Sequence, residues 1–126
     1  MSQLAYVTDT DNAAHSNGIV LCQRTDLVPF SGIAARFDQL AIALFYLPDT
    51  DVELYAVSHI DPVSQAPIIA HGLVGESGGE FYVAAPLHKQ QYRLSDGLCL
   101  SDSSLKLRVF TVKLQQDQVW LLPPME

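Results

Sequence analysis

The sequence predicts a single all-β domain of the antiparallel kind. Short runs of β-branched and aromatic residues recur along the chain, and Gly, Pro, Asp and Ser separate them at intervals of roughly ten residues. Helical periodicity is hard to place in any segment. A length of 126 residues suits one domain with one core, and 48% apolar with 17% charged residues is typical of a packed protein.

The domain is predicted to begin at Gly18. Residues 1–17 are polar, and Asp9, Asp11 and Asn12 act as turn and loop signals there. We therefore expect residues 1–17 to form a flexible N-terminal arm and residues 18–126 to form the β domain.

Eight strands are predicted, at residues 19–23, 32–37, 40–46, 53–58, 80–84, 91–94, 105–114 and 118–122. The run 40–46 is apolar at both alternating sets of positions, which indicates a strand covered on both faces. From Leu105 to Val109, apolar residues alternate with basic ones, as in a strand with one dry and one wet face.

Two glycine-containing segments are predicted turns. Asp96 and Gly97 form a hairpin signal, since glycine adopts the positive φ that a tight turn requires. Residues 75–79 resemble a phosphate-binding loop only superficially. They lack the Lys and Ser/Thr ending and a following helix, so a hairpin connection is the better interpretation.

Charge and composition exclude several classes of partner. The net charge is −7 with only seven Lys and Arg residues, which argues against nucleic-acid binding. The N-terminus lacks the features of a signal peptide, and the apolar run 40–47 is far shorter than the ~20 residues of a membrane span. We expect a cytoplasmic protein with no membrane partner. Cys22 and Cys99 show no metal-type spacing and are predicted to be reduced structural thiols.

No catalytic set is evident. Ser77 is one residue out of step with a nucleophile elbow, and Asp49 and Asp51 are explained by the turn that contains them. The histidines lack the spacing of a zinc site. They are His15, His59, His71 and His88.

Two segments, residues 57–68 and 83–97, resemble the cluster-binding loops of a Rieske iron–sulfur domain, which follow the patterns Cys-Pro-His and Cys-Pro-x-His. The two cysteine positions fall on Asp61 and Ala85, and the two histidine positions fall on Val63 and His88. Three of the four ligands are therefore absent. One carboxylate and one imidazole do not replace two thiolates and two imidazoles, so no metal site is expected.

A Rieske-like domain without these ligands, with the string KQQYRLSDGLC at 89–99, resembles the small subunit of assimilatory NAD(P)H-dependent nitrite reductase. The resemblance runs from about residue 20 to residue 122. It implies a non-catalytic accessory subunit with no cofactor of its own. The implied partner is a large subunit that carries siroheme, an iron–sulfur cluster and FAD and reduces nitrite to ammonia.

The prolines of these segments and the residues beside them form a candidate interface with that partner, since interface hot spots favour aromatic and Arg side chains. Its residues are Pro62, Pro86, Leu87, His88, Lys89, Tyr92 and Arg93. Alternatively, these residues only maintain the loops. The alternatives for the whole chain are a Rieske-type electron-transfer ferredoxin subunit and a freestanding protein-binding module.

Overall fold

The computed structural model describes residues 18–124, and all strand pairs in it are antiparallel. The strands are β1 Ile19–Gln23, β2 Ser31–Phe37, β3 Leu40–Tyr46, β4 Leu54–Ser58, β5 Leu73–Ser77, β6 Glu80–Ala84, β7 Gln91–Arg93, β8 Val109–Phe110, β9 Val112–Gln115 and β10 Gln118–Leu121. The helical segments of these residues are two 3₁₀ turns, Arg24–Asp26 and Ile69–His71. The all-β prediction is confirmed.

The strands form three sheets, ordered β1-β10-β9, β2-β3-β4-β8 and β5-β6-β7. The four-stranded sheet separates two apolar clusters, because successive side chains of a strand point to opposite faces. In β3, Ile42 and Leu44 pack in one cluster, and Ala43 and Phe45 pack in the other. All four side chains are fully buried. The prediction that this strand is covered on both faces is confirmed.

The other two sheets each complete one cluster. Leu21 and Val119, from the β1-β10-β9 sheet, pack with Ile42 and Leu44. Val83 and Tyr92, from the β5-β6-β7 sheet, pack on the opposite side, together with residues of the connections between strands. This second cluster lies beneath the segments that resemble cluster-binding loops.

The predicted strand 105–114 is wrong as a single element. The chain forms β8, which pairs with β4, and then β9, which pairs with β10, so it changes sheets at Thr111. The alternation of burial shifts just before this break, between Leu107 and Phe110. Val109 is 39% exposed, although the alternation predicted it on the dry face, and Phe110 is buried instead.

Strand β5 was not among the predicted strands. It forms the hairpin with β6, in which Ser77 lies opposite Glu80. The turn consists of Gly78 and Gly79, with φ of 59° and 85°. The hairpin interpretation of 75–79 is thus confirmed, although the connection itself is only these two glycines.

The turn predicted at Asp96 and Gly97 is present. Gly97 has φ of 81°, and its N–H donates to the carbonyl of Arg93 at 2.7 Å. The Asp96 carboxylate accepts the Leu98 N–H at 3.1 Å. The turn returns the chain so that Cys99 lies opposite Tyr92 in an antiparallel bridge.

The arm predicted for residues 1–17 lies outside the described residues. Over residues 18–124, no helix is long and apolar enough to cross a membrane.

Candidate functional site

The first loop, residues 59–68, is closed by its own backbone. The Asp61 N–H donates to the Ala66 carbonyl at 2.9 Å, and the Gln65 N–H donates to the Asp61 carbonyl at 2.7 Å. Ile60 and Pro67 form an antiparallel bridge at the base of the loop. These bonds fix the path of the loop backbone.

Asp61 is the central side chain of this loop and is fully buried. Its Oδ1 accepts the N–H of Val63 at 2.8 Å, as aspartate does in a tight turn. Its Oδ2 is also buried and has no hydrogen-bond partner among the described residues. The carboxylate therefore stabilises the turn through one oxygen only.

The second loop, residues 85–90, is closed in a similar way. The Ala85 N–H donates to the Gln90 carbonyl at 2.8 Å, and the Lys89 N–H donates to the Ala85 carbonyl at 3.0 Å. Lys89 has φ of 60°, a conformation that suits a tight turn. Leu87 at the loop's outer end is 60% exposed.

The two loops meet on one apolar cluster. Ile69 and Ala70 follow the first loop, Ala85 begins the second, and Tyr92 follows it, and all four side chains pack in the second cluster described above. Because they share this core, the loops are held next to each other at one end of the domain.

A buried histidine ties the first loop to the chain that follows it. The Nδ1 of His59 accepts the N–H of Ala70 at 3.1 Å, and its ring lies 5.7 Å from the His71 ring, edge to face. Burial, and to a lesser extent the charge of His71, lowers the pKa of His59. The neutral imidazole is the form that accepts this hydrogen bond.

The residues at the four ligand positions do not fit an iron–sulfur cluster. Val63 and Ala85 have no donor atom, and Asp61 already uses Oδ1 within its turn. Cys22 packs in the other apolar cluster, where burial and then the charge of Asp26 raise the pKa of its thiol to about 12. Cys99 is buried and lies opposite Tyr92. Neither cysteine stands at one of the four ligand positions, where a cluster needs two thiolates and two imidazoles.

Other metal and catalytic sites receive no support in the described part of the chain. No group of three or more His, Cys, Asp and Glu residues between 18 and 124 is arranged to hold a metal ion. A cleft of about 450 Å³ lies at the far end of the β5-β6-β7 sheet from the loops. It brings Asp51 and Glu80 beside Tyr55, whose pKa is raised by burial first and then by these two charges.

The seven residues of the candidate interface differ in their exposure to solvent. Pro86, Leu87, His88 and Lys89 are exposed, and Pro62 is half-buried. Tyr92 is fully buried, and its hydroxyl is buried with it. The expectation that Tyr92 belongs to an interface is therefore wrong, because its side chain is part of the core.

Arg93, at the end of β7 farther from the second loop, forms ion pairs within the domain. Its guanidinium binds Asp96 at 2.6 Å and Glu80 at 3.2 Å. The hydrogen bond from Arg93 is the main cause that lowers the pKa of Asp96. Arg93 therefore stabilises the turn after β7 and does not face outward beside Leu87.

Three exposed apolar residues near the loops were not among the residues predicted for the interface. Val63 belongs to the first loop, and Leu73 lies opposite Ala84, which leads into the second. The N–H of Leu100 bonds to Gln91, the residue that follows the second loop. We refer to these three exposed residues and Leu87 together as the loop face. Their exposed fractions are 39% for Val63, 77% for Leu73, 60% for Leu87 and 44% for Leu100.

Comparison with known proteins agrees with this geometry. Residues 18–122 match the family model described as the Rieske-like [2Fe-2S] domain. The chain is 34% identical over 101 residues to the nitrite reductase (NADH) small subunit of Escherichia coli K12, covering 80% of this chain and 93% of the relative. The NMR structure of the E. coli protein NirD superposes with a TM-score of 0.75 at 33% identity, covering 85% of this chain and 96% of NirD.

A further relative is a large subunit. The chain is 35% identical over 101 residues to the nitrite reductase [NAD(P)H] large subunit of Klebsiella oxytoca, which covers 80% of this chain but 10% of that protein. In that relative, a domain similar to this chain is part of a much longer polypeptide.

Proposed function

Because the chain belongs to the Rieske-like domain family and, within it, to the nitrite reductase small subunits, we propose that it is the accessory small subunit of an NAD(P)H nitrite reductase. Its partner would be the large subunit, which would reduce nitrite to ammonia with siroheme, an iron–sulfur cluster and FAD. The complex would serve nitrite assimilation in the cytoplasm. The observation that carries this proposal is the 34% identity over 80% of the chain.

The chain is proposed to carry no cluster of its own. Two of the four ligand positions, Val63 and Ala85, hold side chains without a donor atom, and both loops are closed by their own hydrogen bonds. A role in electron transfer would require four suitable ligands. The role that this leaves is assembly with the catalytic subunit or modulation of it.

The loop face is the proposed docking surface for the large subunit. Four of the eight large apolar residues exposed in the described chain lie there, and soluble proteins seldom cluster such residues without a partner. Pro62 and Pro86 stiffen the loops beneath them, which lowers the entropy lost on docking. His88 and Lys89 provide polar contacts at the margin.

The Klebsiella relative supports the choice of partner. A domain similar to this chain is covalently joined there to a nitrite reductase large subunit. Joining two domains in one polypeptide raises the effective concentration of each domain for the other. Such a link is useful when the two domains work together. For the separate chain, a noncovalent interface of good complementarity would serve the same purpose.

Co-purification from the native cytoplasm tests this function. We expect the tagged chain to retain a large subunit whose visible spectrum contains siroheme and flavin bands, and the separated small chain to be colourless and free of iron. A brown, iron-containing small chain would favour the electron-transfer ferredoxin instead. A colourless chain that retains no large subunit would favour the freestanding binding module.

A further inference from the structure

Strand β5 leaves one edge of its sheet open. The sheet order is β5-β6-β7, so β5 pairs with β6 on one side, and no strand of residues 18–124 pairs with it on the other. Its pairing with β6 is regular from Leu73 to Ser77, without a bulge. A regular open edge presents unpaired N–H and C=O groups, which are a template for another extended chain.

The register identifies the residues whose backbone groups point to the open edge. The turn at 78–79 has two residues, so the flanking Ser77 and Glu80 exchange backbone hydrogen bonds. Hydrogen-bonded and non-hydrogen-bonded pairs alternate along an antiparallel ladder. The N–H and C=O groups of Val74 and Glu76 therefore face away from β6, and they bond to no other backbone group of the described chain.

A bond on the far side of β6 agrees with this register. The carbonyl of Phe81, the residue opposite Glu76, accepts the N–H of Leu94 at 2.9 Å. The backbone polar groups of Phe81 are thus directed away from β5. Those of Glu76, its partner in a non-hydrogen-bonded pair, are directed to the open edge.

The side chains along β5 indicate what kind of chain fits this edge. Leu73 is 77% exposed, the largest fraction among the exposed large apolar residues of the described chain. Glu76, three positions on, is also exposed. Residues that lie opposite each other on paired strands have their Cβ atoms about 4.5–5.5 Å apart. An apolar residue opposite Leu73 would remove that side chain from water, and a Lys or Arg opposite Glu76 would form an ion pair.

Charge distinguishes between the possible occupants of the edge. Pairing two β5 strands would bring two copies of Glu76 into one short ladder, and each chain carries a net charge of −7, so a second copy is repelled. Strand β2 is another edge strand, but the charged residue in it is Arg36. A basic extended segment therefore complements β5 and not β2.

We propose that β5 binds the large subunit by strand addition. An extended segment of that subunit pairs with the open backbone groups of Val74 and Glu76, and it places an apolar side chain on Leu73 and a Lys or Arg on Glu76. In this mode of binding, main-chain hydrogen bonds give affinity and side chains give specificity. The inference rests on the proposed function and adds how the partner is bound. Because Leu73 belongs to the loop face, the added strand continues that docking surface along the sheet edge.

Proline at an outward-facing position tests the backbone bonds. Glu76→Pro removes an N–H that the ladder with β6 does not use, so we expect the fold to be retained, as checked by circular dichroism. We expect the affinity for the purified large subunit to fall at least about tenfold in titration calorimetry. Ala34→Pro is the matched control, since Ala34 is exposed on β2 and its N–H faces away from β3 by the same alternation. Its affinity should equal that of the wild type.

Glu76→Lys tests the charge while keeping the backbone N–H. We expect it to weaken binding at least about threefold, and Glu76→Gln to weaken it less, because reversal adds repulsion to the loss of the ion pair. Wild-type affinity in both Glu76→Pro and Glu76→Lys would overturn strand addition and leave the accessory role standing. A wild-type chain that does not bind the large subunit would overturn both.

Hydrogen exchange of the wild-type chain tests the same bonds without a variant. We expect the amides of Val74 and Glu76 to exchange at least about tenfold more slowly in the complex than in the free chain, and the amide of Ala34 to be unchanged. Unchanged exchange at Val74 and Glu76 in the complex would refute strand addition. Equal protection in a self-associated small chain alone would identify a second copy as the occupant and refute it as well.

Discussion

Gly97 occupies the most restricted glycine position near the loops. It has φ of 81°, and a Cβ placed there would collide with the carbonyl oxygen of Leu107. Gly78 offers a contrast, since its φ of 59° is also positive but a Cβ at that position would meet no atom within 4 Å. A substitution at Gly78 therefore tests the cost of the positive φ alone, and a substitution at Gly97 tests the positive φ together with a steric clash.

We expect Gly97→Ala to lower the free energy of unfolding by about 3 kcal/mol, since strain and overpacking add. Gly78→Ala should cost only about 1 kcal/mol, the penalty of the left-handed conformation. Urea denaturation of both variants measures this difference. Equal losses would show that the contact with Leu107 relaxes easily.

His59 gives the fold a dependence on pH. Its pKa in the folded chain lies below the ordinary value of 6.5. The unfolded chain therefore binds more protons in mild acid, so the contribution to stability is complete above pH 6.5 and is lost as the pH falls through the folded-state pKa.

We expect His59→Asn to reduce this loss of stability. The amide oxygen of Asn is able to accept the Ala70 N–H in place of Nδ1, and it does not titrate. The measurement is the free energy of unfolding at about pH 7.5 and about pH 5.5, on either side of the ordinary histidine value. An identical decrease in the wild type and the variant would contradict this role for His59.

The sequence indicated the loops better than it indicated the roles of their side chains. The resemblance to cluster-binding loops predicted the two loops, but the burial of Asp61 depends on how the folded chain packs around it. Residue type alone suggested that Tyr92 belongs to the interface. Its position between the polar Gln91 and Arg93 in a strand was the available signal that it points inward.

At the level of elements, β3 contributes side chains to both apolar clusters, because each of its faces lies in one of them. Phe45 is fully buried there. We expect Phe45→Ala to cost about 4 kcal/mol, the combined loss of burial and creation of a cavity. Phe30 is the matched control, as it is 53% exposed.

Phe30→Ala should change stability by no more than about 0.5 kcal/mol, as is usual for surface positions. Thermal and urea unfolding of both variants provide the measurement. A loss for Phe30→Ala comparable with that for Phe45→Ala would mean that the exposed ring packs in solution.

Strands with a strong local signal were predictable, and those defined by their partners were not. The bounds of β1, β3 and β6 agree with the predicted ones. Strand β5, with Gly75, Glu76 and Ser77, has little β propensity and is specified by its pairing with β6. The break at Thr111 follows from a change of sheet, which an apolar pattern along one chain does not reveal.

For the whole molecule, exposed apolar residues occur both on the loop face and away from it. Leu87 belongs to the loop face, whereas Val52 precedes β4 at the opposite end and is 49% exposed. The two residues differ in location and resemble each other in exposure and chemistry. They therefore form a matched pair for testing which end binds the large subunit.

We expect Leu87→Asp to weaken binding to the large subunit at least tenfold, which is about 1.4 kcal/mol. Val52→Asp should leave the affinity unchanged. Titration calorimetry with the purified large subunit measures both. The opposite ranking would place the interface at the β3–β4 end of the domain.

The closure of both loops by hydrogen bonds within the chain has a consequence for the conditions in which the protein works. The Asp61–Ala66 and Ala85–Gln90 bonds do not depend on iron supply and are not broken by oxygen. If the domain carries no cluster, as proposed, its folding would not wait for cluster assembly. Its supply to a partner would then not depend on the supply of iron.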